Sequence, residues 1–284
     1  MPDTPRLLQL FDYAILGAGV AALIVAIVVI SARRQWPNVL HLPPTYAHQF
    51  EGADVLMALV AVLYLPGLVN AITNPATTQP ASSSSNIATL KQLTTIGATQ
   101  AAAIAFLIVL ARRRVTGGTA MWGLTLSRLT DRCAQAVAAI VLITPVCFAL
   151  LEAVKWTLGV LNVESTTHAS IVALQSPATP ALIRAFTVFN ALVLAAITEE
   201  MLFRGILLPA ISRWTRSPWT AVLLTSALFG LIHYPYLDTI IPLTAFGLAL
   251  GYIYARTGSL TLVILSHAVF NGKTLLWLLL GATA

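Results

Sequence analysis

Glu199 and Glu200 stand side by side in a long apolar run, Phe186 to Leu208, with Arg204 following in the same run. Carboxylates and a guanidinium are expensive in a hydrocarbon environment, so their presence there marks a functional site or a water-filled cavity. Three more polar side chains fall in later apolar segments: His233, then His267 and Asn271. Glu200 and Arg204 are four residues apart, so they share a helix face and can pair. Glu199 points about 100° away from Glu200 and is left to serve as a general base. His267 and Asn271 are likewise four apart, so an imidazole and a carboxamide converge where a developing oxyanion could accept hydrogen bonds. His233, from a neighbouring helix, would hold or polarise a water beside Glu199. Together these groups describe water-mediated attack on an amide.

Two other chemistries compete. Ser226 and Ser266 lie near the polar residues, but neither sits in the Gly-x-Ser-x-Gly turn of a nucleophilic serine. Glu199, His233 and His267 form a two-His, one-Glu set adequate for zinc, although the His-Glu-x-x-His helix that usually carries such a set is absent. The preferred reading uses no cofactor and no metal; zinc on those three residues is the alternative.

The elements that must position these groups are membrane helices. The chain has 284 residues, of which 58% are hydrophobic and only 9% charged, against about 25% charged in a soluble domain; its mean hydropathy is +0.84. Long unbroken apolar runs exclude a β-barrel, which needs short alternating strands. An all-α, polytopic membrane helix bundle of about eight spans is expected: 10–30, 53–72, 95–111, 134–158, 181–210, 219–233, 239–255 and 260–280. The first is read as a retained span, being too long for a signal-peptide core. Pro66 should kink the second, and residues 74–85, with four consecutive serines, form a low-complexity connector. The segment Val115–Arg132 is expected on the membrane surface, with Trp122 at the headgroup level. Glu152 and Lys155 form an i,i+3 pair. Gly247 and Gly251 mark close helix packing. Cys133 and Cys147 fit neither a disulfide framework nor a zinc spacing and are read as packing residues.

Ten of the 16 Lys and Arg follow odd-numbered spans: Arg33, Arg34, Arg112, Arg113, Arg114, Arg128, Arg132, Arg213, Arg216 and Arg256. The positive-inside rule then puts both termini outside and these loops in the cytoplasm. The net charge of +6 is explained by these loops, with no nucleic-acid partner. Counting about 1.5 Å per residue from the cytoplasmic ends places Glu199, His233, His267 and Asn271 in one layer, to within about 5 Å. The remaining histidines, His41, His48 and His168, fall in loops.

Three motifs carry a resemblance. Glu-Glu-x-x-x-Arg is present as Glu199, Glu200 and Arg204, Phe-x-x-x-His as Phe229 and His233, and His-x-x-x-Asn as His267 and Asn271. In this order, on separate helices, they resemble the CAAX protease and bacteriocin-processing family of intramembrane endopeptidases. That family includes the type II CAAX prenyl endopeptidases and the bacterial Abi proteins. The resemblance covers residues 181–273 and implies Glu199 and His233 as water activators, with His267 and Asn271 at the oxyanion and Glu200, Arg204 and Phe229 in support. It divides the chain into N-terminal helices without a matched motif, 1–180, and catalytic helices, 181–284. The implied setting is a bacterial plasma membrane with the site open to the cytoplasm, and the implied partner a membrane-associated or lipidated peptide or protein. Two other classes remain: a proton-coupled carrier, since intramembrane Glu and His serve as proton relays, and a non-catalytic immunity or scaffold protein. No inverted repeat supports a carrier.

Overall fold

The computed structural model describes residues 4–34, 50–73, 86–176 and 178–280. Among them the protein is all helical, without strands. In a bilayer every backbone N–H and C=O must find a partner within the chain, and long runs of Ala, Leu, Ile and Val do so as helices. The major helices are α1 (Thr4–Ala32), α2 (Gly52–Thr73), α3 (Asn86–Arg114), the short α4 (Gly118–Met121), α5 (Leu129–Val160) and the short α6 (Ala169–Gln175). They continue with α7 (Ala181–Thr215), α8 (Pro218–Leu231), α9 (Leu237–Thr257) and α10 (Leu260–Leu279).

Six helices among the described residues are long and apolar enough to cross a membrane, against the eight expected. The expected sixth span is the clearest difference. α8 has 14 residues, or about 21 Å of helix, short of a hydrocarbon core of about 30 Å. The expected first span lies in α1, some of whose side chains lie outside the description. The connector 74–85, His41 and His48 lie outside the described residues.

Pro66 does not break α2. A widened π-helical stretch, Val60–Tyr64, precedes it within one continuous helix, the kind of local adjustment that accommodates a residue with no N–H to donate. Pro145 is likewise carried inside α5, and α1 packs against it closely enough that a Cβ on Gly19 would lie 2.1 Å from its ring. The Lys155–Glu152 pair forms at 4.0 Å on the surface. Cys133 is exposed, and Cys147 is buried with its thiol 3.5 Å from the Pro242 carbonyl.

Two caps set the frame of the C-terminal helices. Ser217 Oγ accepts the Thr220 N–H at 3.2 Å with Pro218 in the first turn of α8, and Ser259 Oγ accepts the Leu262 N–H at 3.2 Å to start α10. α9 and α8 pack through glycine, as expected: a Cβ on Gly247 would lie 3.2 Å from Ser226 Cα, and one on Gly230 would lie 2.1 Å from Thr244 Oγ1. α5 packs against both α9 and α10, and α3 against α7. The hydrophobic core therefore joins Phe50, Leu107, Trp122 and Cys147 to Phe203, Phe229, Phe246 and Tyr254.

Trp122, expected at the headgroup level, is instead packed inside the protein. It is fully buried, and its indole N–H donates to the Gly205 carbonyl at 2.6 Å. The segment is held from below by α10: the Thr261 N–H donates to Gly123 O at 3.0 Å, and the Thr125 N–H donates to Thr261 Oγ1 at 3.0 Å. Gly123 has φ +87° and lies so close that a Cβ would fall 1.9 Å from Gly258 O. An indole has one polar atom on a large apolar body, so it is stable in a core once that N–H is satisfied. The tight seat has a consequence. A Cβ on Gly205 would lie 2.4 Å from the Trp122 ring. Gly205→Ala is therefore expected to lower stability by about 1–3 kcal/mol through overpacking, with a lower midpoint of thermal unfolding in detergent and altered Trp122 fluorescence. An unchanged midpoint would mean that the indole moves aside at no cost.

Candidate functional site

α7 is not a uniform helix. Its α-helical turn Ala196–Glu200 is bounded on both sides by π-helical stretches, Asn190–Ala195 and Met201–Leu207. Such wide turns shift the register of a helix face and recur at functional sites. Here they flank Thr198, Glu199 and Glu200. Thr198 is buried and satisfies its own hydroxyl by donating to Leu194 O at 2.6 Å.

Glu200 and Arg204 pair as the i,i+4 spacing requires. Arg204 Nη1 donates to Glu200 Oε1 at 2.9 Å, with both side chains essentially inaccessible, at 1% and 0% exposure. Arg204 Nη2 donates to Gly247 O of α9 at 2.8 Å, and the guanidinium lies 4.9 Å from the Phe229 ring centroid, at cation–π distance. The Arg thus ties α7 to α8 and α9. Glu200 also reaches α10: His267 Nδ1 lies 2.7 Å from the same Oε1. A carboxylate only accepts, so this nitrogen carries the proton and Nε2 faces away from Glu200. Glu200 Oε2 and Arg204 Nε are buried without a hydrogen-bond partner among the described residues.

His267 Nε2 is directed to the other carboxylate, 4.0 Å from Glu199 Oε2. Glu199 is the accessible member of the pair, at 22% exposure against 0% for Glu200. One imidazole therefore bridges two adjacent glutamates, anchored by the inner one and presented to the outer one. Its ring is gripped edge-on by Phe229 and Phe246, with centroids 5.8 and 5.4 Å away.

His233 lies just beyond the end of α8, in the turn that leads to α9. It does not sit inside a span as expected. Its Nδ1 is 2.8 Å from Phe229 O. A carbonyl only accepts, so Nδ1 holds the proton and Nε2 keeps a lone pair. Phe229 thus touches both histidines: its ring is 5.3 Å from His233 and 5.8 Å from His267, with Phe203 edge-on at 5.2 Å. The sequence pointed to Phe229 only as a motif residue; the structure makes it the wall between the two imidazoles. Asn271 takes a different partner from His267. Its Nδ2 donates to Ala191 O of α7 at 2.9 Å, nearer the start of α7, while His267 reaches Glu200.

The serine alternative has no geometry to support it. Ser226 Oγ donates to Val222 O at 2.6 Å and Ser266 Oγ to Leu262 O at 2.9 Å, each one turn back on its own helix and fully buried. A zinc ion would require Glu199, His233 and His267 to converge. Among the described residues no group of three His, Cys, Asp or Glu is placed to hold a metal ion.

Sequence reasoning passed over three supporting residues: Trp122, Phe246 and Gly205. No local pattern marks them, because each acts through a contact distant in sequence. It also set His168 aside as a loop residue. The His168 ring lies 4.7 Å from Tyr236. Its basicity is lowered, first by partial desolvation and then by the repulsion that His233 exerts when protonated, so His168 belongs to the same corner of the molecule.

The match to a known family falls on these helices. Residues 180–272 match the family model described as type II CAAX prenyl endopeptidase Rce1-like. An Escherichia coli protein named "Uncharacterized 24.3 kDa protein" is 38% identical over 84 residues, 28% of this chain and 39% of its own length. Bacillus subtilis YpbD is 35% identical over 81 residues, 28% of this chain and 38% of its own length. The chain therefore spans about two fifths of these relatives. No solved structure matches.

Proposed function

We propose, from the match of residues 180–272 to the Rce1-like endopeptidase model, that this integral membrane protein hydrolyses a peptide bond in a membrane-associated or lipidated peptide. One observation carries the reading: Glu199, the accessible carboxylate, stands 4.0 Å from an imidazole whose other nitrogen is anchored by a buried Glu200–Arg204 pair. A purely structural ion pair needs one carboxylate per guanidinium; the second is left for chemistry. A gap of this width is one that a water can bridge.

In the proposed reaction a water gives its proton to Glu199 while its oxygen attacks the scissile carbonyl. The lone pair on His233 Nε2 is the second acceptor on the water side. His267 Nε2, when it carries a proton, and the remaining N–H of Asn271 Nδ2 are the donors toward the oxyanion. Collapse of the tetrahedral intermediate breaks the C–N bond, and Glu199 returns the proton to the leaving amine. Glu200 and Arg204 act by orienting His267. The site opens to the cytoplasm of a bacterial cell in this proposal, on the strength of the arginine distribution.

The direct test compares the membrane peptidome of wild-type cells with that of a strain carrying Glu199→Ala. Precursor peptides should accumulate in the variant strain; identical peptidomes would sink the protease reading and leave the carrier or scaffold. The proposed reaction is metal-free, so purified protein is expected to keep its cleavage rate after exhaustive chelation. Loss of activity restored by zinc alone would transfer the role of Glu199, His233 and His267 to metal ligation.

A further inference from the structure

The end of α3 carries three consecutive arginines, Arg112, Arg113 and Arg114, beside the start of α2. The two helices run antiparallel: Arg114 pairs with Asp54 near one end, and Lys91 Nζ donates to Thr73 O at 2.8 Å near the other. Between them lies a cavity of about 380 Å³, lined by Asp54, Met57, Phe106, Val109, Leu110, Arg113 and Arg114. That volume is within the range of small-ligand sites. None of these residues belongs to the carboxylate–histidine cluster.

The groove is amphipathic along its length. Phe106, Val109, Leu110, Arg113 and Arg114 follow i, i+3, i+4, i+7 and i+8, which is one face of α3. From Phe106 to Arg113 is about 10 Å, running from an apolar floor inside the span to a cationic rim at its end. Leu110 is buried, whereas Met57 and Val109 are exposed at 46% and 47%, so the floor opens sideways, where lipid chains lie.

Among the described residues the charge at the rim is not balanced by carboxylates. Asp54 is 1% exposed and fully engaged: it accepts from Arg114 Nε at 3.1–3.2 Å and from the Glu51 N–H at 2.8 Å. Glu51 lies 3.7 Å from Arg114. Arg112 and Arg113 are exposed and have no carboxylate partner among the described residues. Three arginines against two carboxylates leave an excess of one positive charge. We propose that this groove is a binding site for an anionic phospholipid. Its phosphodiester is taken by Arg113 with the free donors of Arg114, and one acyl chain lies along Phe106, Val109 and Met57. The head-to-tail order of the lining matches that of a phospholipid in its leaflet and of no soluble phosphate ester.

The test is native mass spectrometry of the full chain, delipidated in detergent and titrated with phosphatidylglycerol or phosphatidylcholine of identical chains. Preferential retention of phosphatidylglycerol is expected. Arg113→Gln should reduce that retention about fivefold and leave phosphatidylcholine unaffected. Arg33→Gln, at an exposed arginine outside the groove, should change neither. Val109→Asp, in the apolar section, should weaken both lipids. Equal retention of the two lipids, or undiminished phosphatidylglycerol binding in Arg113→Gln, would overturn the proposal. So would displacement of the lipid by inorganic phosphate at matching concentrations, which would assign the rim to phosphate alone. The readout is binding, so it stands or falls separately from the protease reading.

Discussion

Glu199→Ala is expected to lower peptide cleavage by about 100- to 10,000-fold, the range that a positioned general base contributes, with little change in stability. The reason for the split lies in the environment of the two glutamates. Glu199 is 22% exposed, and its neighbour His267 stands 4.0 Å away, beyond hydrogen-bond distance. Its removal leaves no buried group unpaired, so thermal unfolding should shift by less than about 1 kcal/mol. Glu199→Gln preserves shape and hydrogen bonding but cannot accept the proton, so it should be equally inactive. The measurement is the initial rate of cleavage of a membrane-reconstituted peptide, alongside thermal unfolding in the same detergent. Wild-type turnover by either variant would remove Glu199 from the mechanism.

Arg204→Ala should fail in the opposite way, by unfolding. Arg204 and Glu200 are 1% and 0% exposed and 2.9 Å apart. Removing one partner of a buried ion pair leaves an uncompensated charge, at a cost of about 3–5 kcal/mol. The loss of the Gly247 hydrogen bond and of the contact with Phe229 adds to it. A large drop in the unfolding midpoint is expected, with low yield from membranes. A double variant separates support from chemistry. Glu200→Gln with Arg204→Met removes both charges and keeps most of the volume, so stability should return toward wild type. Activity should not return, because the neutral amide lacks the negative charge with which Glu200 polarises the His267 Nδ1–H at 2.7 Å. If the double variant cleaves at the wild-type rate, Glu200 does not position His267.

Much of this was legible in the residues. The membrane bundle follows from composition and run length, because hydrocarbon leaves the backbone no partner but itself. The Glu200–Arg204 pair follows from i,i+4 spacing, which survives local widening of the helix. The close approach of α8 at Gly247 and Gly251 follows from the absence of side chains where helices meet.

What the sequence determined without help was therefore the all-helical membrane architecture, the residue types able to do chemistry and the pairs made within one helix. Tertiary packing decided the rest. It ended α8 at Leu231 and put His233 in the turn that follows, since an apolar composition does not by itself report where Ile232 to Tyr236 turn. It took Trp122 from an expected surface position to a buried hydrogen bond with Gly205, a partner 83 residues away. It gave His267 to Glu200 and Asn271 to Ala191. Spacing along one helix specifies direction, whereas a hydrogen-bond partner on another helix depends on the rotation and offset of both, which are set by the packed core between them.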